Sequence, residues 1–361
     1  MPYPKLTVDI KKIKYNCSRL VKESAGKGIE VAGVTKVVCG NPNIAQALVD
    51  SGIKIIADSR VENLKKLSEI KCKKMLLRIP MPSQADDVVR YSDIVLVSEI
   101  FTIKKLSEQA HNQKKVIDLI LMIDLGDLRE GLFYENEILK TVSEITHLKN
   151  IKLLGLGTNL SCYGAVIPSR EILEKLVLIK NKIKNLFNID LEILSGGNSG
   201  SIRLFEDNQI PAGINQLRLG ASIILGIGID HLPIEGLSAE IFILEAEIIE
   251  LRKKPSKPVG KQGLDAFGNK PVFIDMGIRS RAICAIGRQD VNPEDISPFN
   301  DKIIILGGSS DHLILDVTDS EKKFEVGDTV KFRINYGGCL SLMTSPYVHK
   351  EFSDSASSVD F

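Results

Sequence analysis

The sequence predicts an α/β protein: an N-terminal (β/α)8 TIM-type barrel followed by a C-terminal all-β domain. Three observations predict it. Short β-branched runs alternate with amphipathic segments through the first two thirds of the chain. Those runs are apolar on both faces, which is how parallel strands covered by helices read. Beyond Gly226 the helical spacing stops while strand-like runs continue. At 361 residues the chain has room for two domains. The change of texture puts the barrel at 1–230 and the β-domain at 231–350.

Taken in order, the barrel runs are Glu30–Val34, Ile53–Ala57, Lys74–Ile79, Ile94–Ser98, Val116–Asp124, Ile151–Gly157, Leu191–Ser195 and Asn215–Leu219. Helical spacing fills most of the gaps, as in Val61-Leu64-Leu67 or Leu173-Leu176-Leu178-Ile179. Eight such units in roughly 230 residues match a (β/α)8 barrel. A doubly wound open sheet shows the same alternation and is the competing arrangement. In the second part, Ile241–Leu251, Val272–Met276, Ile303–Leu306, His312–Val317 and Thr329–Ile334 read as strands. Val326-Gly327-Asp328 reads as the tight turn that opens the last of them. Lys253–Lys270, with its prolines and glycines, is a long basic loop, and 351–361 is expected to be a flexible tail rich in Ser and Asp.

Composition narrows the function classes. A net charge of +1, with 26% charged residues, argues against a supercharged nucleic-acid binder. Aromatics at 5% and no Trp leave few platforms for stacking bases. No apolar run nears the length of a membrane span. The six cysteines (Cys17, Cys39, Cys72, Cys162, Cys284 and Cys339) form no C-x-x-C pair. With no signal peptide ahead of Pro4, they read as reduced thiols in a cytoplasmic protein. An enzyme without a metal site, nucleic-acid partner or membrane partner is the expectation.

Barrel chemistry gathers at the C-terminal ends of the strands. Those ends offer Lys36, Asp58, Arg78, Glu99, Asp124, Asn159, Ser195-Gly196-Gly197-Asn198-Ser199 and Arg218-Leu219-Gly220. Lys36 closely follows the run Val31-Ala32-Gly33-Val34, which aims its amine at the barrel mouth. The loops after strands seven and eight are where such barrels build phosphate sites from backbone N–H groups. Singly these features are weak, since strand-end lysines are usually solvated and Ser-Gly-Gly-Asn-Ser serves equally as a turn. Together they suggest a phosphorylated aldehyde cofactor meeting an amine, which is pyridoxal phosphate.

At these residues the chain resembles the alanine racemase-type enzymes that use pyridoxal phosphate, over about residues 4–350. Pro4–Ile10 with Ile13 and Asn16 resembles that family's opening strand and first helix, and Val34–Gly40 its lysine motif. Asp124-Leu125-Gly126 with Arg129 and Gly131, Asn198-Ser199, Arg218-Leu219-Gly220, and Ser310-Asp311 with Asp316 follow in the family's order. Thr35-Lys36-Val37-Val38-Cys39-Gly40 and Ser309-Ser310-Asp311-His312 are most similar to ornithine racemases and their relatives.

The resemblance implies roles. Lys36 would bind the cofactor aldehyde and move a proton. Ser199 with the N–H groups of Gly220 and Ala221 would hold the phosphate, with Tyr347 as a further candidate. Arg218 would face the pyridine nitrogen and leave it unprotonated, because a guanidinium does not readily release a proton. Asn159 stands where the family often has a ring-facing His, and Arg129 would lie near the substrate carboxylate.

Two departures matter. Met122 replaces a lysine often found there, and Met276-Gly277-Ile278-Arg279 lacks the family's β-domain tyrosine, the second acid/base. His312, Asp311 and Cys284 are the candidates to replace it. His312 is preferred because its ordinary pKa lies near neutrality, against a purely structural role at a strand start. Asp311 alternatively meets a distal ammonium, and Cys284 sits among core residues. The resemblance further implies a free, basic amino acid as substrate, ornithine or lysine, and a homodimer with shared active sites. D-amino-acid lyases, basic amino-acid decarboxylases and non-enzymatic pyridoxal-phosphate carriers are the competing readings.

Overall fold

A computed structural model describes residues 3–228 and 231–353. They divide into two compact units, one of residues 10–239 and one combining the described residues up to Asp9 with those from Glu240 onward. Strand β1 (Lys5–Asp9), counted with the barrel in the sequence, therefore belongs to the second unit. Its alternation buries Leu6 and Val8 while Lys5 bridges Glu245 at 3.3 Å and Glu351 at 3.2 Å. The expected junction at 230 falls on a residue outside the described set.

The first unit is the predicted barrel. Its strands are β2 (Glu30–Val34), β3 (Ile55–Asp58), β4 (Lys73–Leu76), β5 (Ile94–Val97), β6 (Ile117–Met122), β7 (Ile151–Gly157), β8 (Ile193–Ser195) and β9 (Gln216–Leu219). All pair in parallel, and β9 returns to β2, closing the sheet. Closure excludes the doubly wound alternative. Ala32, Val34, Ile55, Ala57, Met75, Ile94, Leu96, Ile120, Met122 and Leu154 fill the interior. Met122 is fully buried there. Burying such a side chain stabilises by about 1.5–3 kcal/mol. The helix Ile10–Gly26 buries Ile10, Ile13, Cys17 and Leu20, one face at helical spacing. Asn16 on that face is fully satisfied: it donates to Ser238 O at 2.9 Å and Ile223 O at 3.2 Å, and accepts from Ser238 N at 2.7 Å.

The second unit is an eight-stranded sheet. To β1 it adds β10 (Phe242–Pro255), β11 (Ile278–Cys284), β12 (Ile296–Pro298), β13 (Ile304–Gly308), β14 (Leu313–Asp316), β15 (Thr329–Ile334) and β16 (His349–Ser353). Two expectations are corrected. Residues 272–276 form no strand: Val272, Ile274 and Met276 are 91%, 77% and 51% exposed, and Met276 N donates to Ser256 Oγ at 2.6 Å instead of into a ladder. The strand lies just beyond, where β11 pairs with both β10 and β14. Arg279 and Arg281 hide it from a hydrophobicity reading, and Arg279 is held by Asp316 at 2.8 Å and by Asp319. The predicted β-domain also carries a helix, Tyr336–Thr344, capped by Asn335 accepting from Gly338 N at 2.9 Å. Finally, residues 351–353 of the expected tail are in β16, paired in parallel with β1; 354–361 lie outside the described residues. The basic loop follows β10, and Gly327 makes the expected turn with φ +97°.

Candidate active site

Lys36 opens a single 3-10 turn, Lys36–Val38, directly after β2. Thr35 anchors it: its N–H donates to Ala57 O at 2.9 Å and its hydroxyl to Asp58 Oδ2 at 2.8 Å. Asp58 is fully buried and also accepts from Asn63 Nδ2 and from Arg60 N, each at 3.0 Å. The turn leaves through Cys39 and Gly40, both at positive φ. A side chain at Gly40 would place its Cβ 2.7 Å from that of Asn63. Lys36 itself is half-buried. Burial pushes its pKa below the ordinary lysine value; Cys162, Asp58 and Glu130 act upward on it and Arg129 downward. Among the described residues, no hydrogen bond or ion pair ends on its amine.

Arg218 crosses the mouth from β9 and is 2% exposed. One terminal nitrogen donates to Ser195 Oγ, and the other to Thr158 O at 2.6 Å and Asn159 Oδ1 at 2.7 Å. Burial lowers its pKa to about 10, with Glu130 acting to raise it. It stays a cation at neutral pH. Gly157 makes the space, since a Cβ there would lie 3.1 Å from Met122 Sδ and 3.6 Å from Arg218 Nη1. Met122 and Arg218 thus both border the space that Gly157 leaves open.

The phosphate-sized corner lies between the turn Ser199–Ser201 and the helix start after Gly220. Ser199 Oγ accepts from Gly220 N and Ser222 N, both at 3.3 Å, and sits 3.1 Å from Ser222 Oγ. Gly220 is held close to β2, where a Cβ would lie 3.2 Å from that of Val34. N–H groups at a helix start, with two hydroxyls beside them, suit an anion. A half-buried amine of lowered pKa, this corner and a fixed guanidinium fit a phosphorylated aldehyde that carries a ring nitrogen.

Two loops frame the mouth. Asp127, 1% exposed, accepts from the N–H groups of Tyr163 at 3.0 Å, Cys162 at 3.2 Å and Val166 at 3.3 Å. It thereby stitches the loop after β6 to the loop after β7. Asn198 Nδ2 reaches Cys162 Sγ at 3.1 Å. Arg129 pairs with Glu130 through Nε, and again through Nη2 at 2.8 Å. Gly131 has φ +125°, and a Cβ there would fall 2.5 Å from Asp124 N. Gly131→Ala is therefore expected to cost about 2 kcal/mol or more of stability, read from the urea midpoint, and to displace Arg129 and Glu130 with it.

Of the residues singled out in the sequence, the barrel unit holds Lys36, Arg129, Asn159, Ser199, Arg218, Gly220 and Ala221. His312, Asp311, Tyr347 and Cys284 lie in the β unit. His312 and Asp311 are exposed on the turn between β13 and β14; His312 Nδ1 lies 3.4 Å from Ser309 Oγ, and Asp311 accepts from Ser310 Oγ at 2.6 Å. Tyr347 is 65% exposed. Cys284 is fully buried, and burial pushes its thiol up to about 12, so it is a core residue and no proton shuttle. The sequence reading missed Glu130, Ser222 and Asp127. Glu130 was within sight, lying between Arg129 and Gly131 of a quoted segment.

The family model "Alanine racemase, N-terminal domain" matches residues 8–226. The chain belongs to the alanine racemase family. It is 46% identical to the ornithine racemase of Acetoanaerobium sticklandii, over 97% of this chain and 99% of that one. It is 42% identical to the lysine racemase of Thermotoga maritima, over 98% and 100% of the two chains. In structure it matches an alanine racemase from Bartonella henselae with covalently bound pyridoxal phosphate, at TM-score 0.74 and 20% identity, covering 98% of this chain and 100% of that one. A D-threonine aldolase from Filomicrobium marinum matches at TM-score 0.71 and 14% identity, covering 95% and 89%. At such identities the likeness is one of fold, shared by racemase and aldolase, and it does not choose between their chemistries. Among the described residues, no helix is long and apolar enough to cross a membrane.

Proposed function

We propose that the protein is a pyridoxal-phosphate-dependent racemase of a basic free amino acid, ornithine or lysine. The observation that carries the reading is the unpaired, half-buried Lys36 amine, of lowered pKa, facing the same mouth as the Ser199–Gly220 corner and Arg218. The choice of a basic side chain rests on the ornithine and lysine racemases to which the chain is similar over nearly its whole length.

When bound, pyridoxal phosphate supplies an electron-withdrawing ring that makes the Cα–H of an attached amino acid acidic. The protein's residues do the rest. A lowered pKa leaves more of the Lys36 amine neutral near pH 7, ready to take an aldehyde and afterwards to take and return a proton on one face of Cα. Ser199, Ser222 and the N–H groups of Gly220 and Ala221 hold the phosphate. With the cofactor in place, Arg218 would donate toward its ring nitrogen and keep its own proton, which would moderate electron withdrawal and favour return of the proton to Cα over transamination. Arg129 receives the substrate carboxylate. His312 serves the opposite face and Asp311 the distal ammonium, both presented by the partner of a head-to-tail homodimer. Their exposure on a hairpin turn supports that assignment.

Ser199→Ala removes the hydroxyl that gathers the Gly220 and Ser222 N–H groups. Cofactor affinity is expected to fall about tenfold, measured by titrating the visible band, with turnover restored by excess cofactor. The reading itself is tested by chiral chromatography: D-ornithine and D-lysine should form from the L-isomers well ahead of D-alanine from L-alanine. Equal or faster alanine turnover removes the basic preference, and no turnover of any of the three removes the racemase.

A further inference from the structure

Every acceptor that Arg218 reaches is neutral: Ser195 Oγ, Thr158 O and Asn159 Oδ1. A buried cation without a counter-charge is costly. The charge arrives one residue removed. Asn159 accepts from Arg218 Nη2 at 2.7 Å through Oδ1 and donates to Glu130 Oε1 at 2.5 Å through Nδ2. Turning this amide over would set N–H against guanidinium and oxygen against carboxylate, so both ends enforce one orientation. The same carboxylate also grips Arg129.

We propose that Glu130 is a positioning residue, the shared counter-charge that holds Arg218 through Asn159 and Arg129 directly, and so sets the electrostatics of the cofactor mouth. The inference rests on the cofactor reading above. Its weight comes from the tether. An adjacent Arg–Glu pair with side chains 38% and 19% exposed is worth little by itself, whereas the Asn159 link carries the charge to a guanidinium that water does not reach. Glu130 leads the groups that raise the Arg218 pKa.

The charged and titratable groups facing Lys36 are Cys162, Arg129, Asp58 and Glu130. Glu130→Gln removes one of the groups acting upward on the lysine and takes from Arg129 its ion-pair partner, with Cys162 and Asp58 still acting upward. Lys36 should then lose its proton at lower pH. The full chain, stripped of cofactor and reloaded with pyridoxal phosphate across a pH series, reports this through the rate at which the visible band returns. The loading midpoint is expected to move down by about half a pH unit and cofactor affinity to fall about tenfold. In E130Q/N159D the charge sits on residue 159, directly against Arg218, and both quantities should return toward wild type. Asn159→Leu cuts the relay while keeping the Arg129–Glu130 pair, and should lose affinity like Glu130→Gln. The inference is overturned by a wild-type midpoint in Glu130→Gln, by failure of the double variant to recover, or by wild-type affinity in Asn159→Leu. A wild-type chain that does not load at all overturns the cofactor reading instead.

Discussion

Lys36→Ala is expected to yield a folded, colourless protein that racemises nothing. Pyridoxal phosphate should leave no band that survives dialysis, borohydride should trap no cofactor on the chain, and turnover should fall by roughly 10⁴-fold or more. Folding should survive, because no hydrogen bond or ion pair ends on the Lys36 amine among the described residues, and Thr35 and Asp58 keep the turn in place. The sign of the stability change follows from linkage. Burial lowers the pKa of Lys36 in the fold from the ordinary 10.5, so the unfolded chain binds that proton more tightly. The lysine therefore costs stability below its folded pKa, and the cost fades as pH rises from there toward 10.5. At pH 7 the Tm of Lys36→Ala should equal or exceed that of wild type. Lost activity with a markedly lower Tm would instead show Lys36 to be a structural residue.

The second large effect is expected for Arg218→Leu. It strands Thr158 O, Asn159 Oδ1 and Ser195 Oγ in a buried corner and removes the cation that Asn159 links to Glu130. Unsatisfied buried acceptors cost about 1–3 kcal/mol each. Part is recovered because a desolvated cation is also removed, so a net loss of about 3 kcal/mol is expected. Racemisation should fall about 10²-fold or more, as for removal of a preorganised donor, and keto-acid by-product from L-ornithine should rise relative to D-ornithine. The two readouts separate the roles: lower stability with an unchanged product ratio would confine Arg218 to packing.

The barrel is legible in the sequence because each strand is covered on both faces, so burial writes a continuous apolar run that polar helices interrupt. The second unit is less so. Its sheet contains β11, where Arg279, Ser280 and Arg281 are consecutive polar residues; the two arginines find acidic or backbone partners 25 to 40 residues away, which local hydrophobicity does not register. The helix Tyr336–Thr344 carries two glycines in its first turn, which weaken its local helix signal, and the Asn335 cap holds that turn. The opening strand joins the far end of the chain through pairing with β10 and β16, a long-range event without a local signature.

The site divides the same way. Lys36, Ser199 and Arg218 stand out because strand ends of a barrel converge, and chain order alone then suggests which residues meet. Glu130 does not, because its importance lies in the amide of Asn159, 29 residues away. Ser222 is hidden in an apolar helix start, and only the shared hydrogen bonds with Ser199 reveal it.

The central claim is that Lys36 and a second group exchange the Cα proton of a basic amino acid on opposite faces. Incubating the holoenzyme with L-ornithine, L-lysine and L-alanine in D2O tests it most directly, following Cα deuterium by mass spectrometry and optical rotation together. Deuterium is expected at Cα of ornithine and lysine in step with loss of rotation, and neither is expected in Lys36→Ala. A protein that binds the cofactor at Lys36, yet exchanges no Cα proton of any of the three, would contradict it.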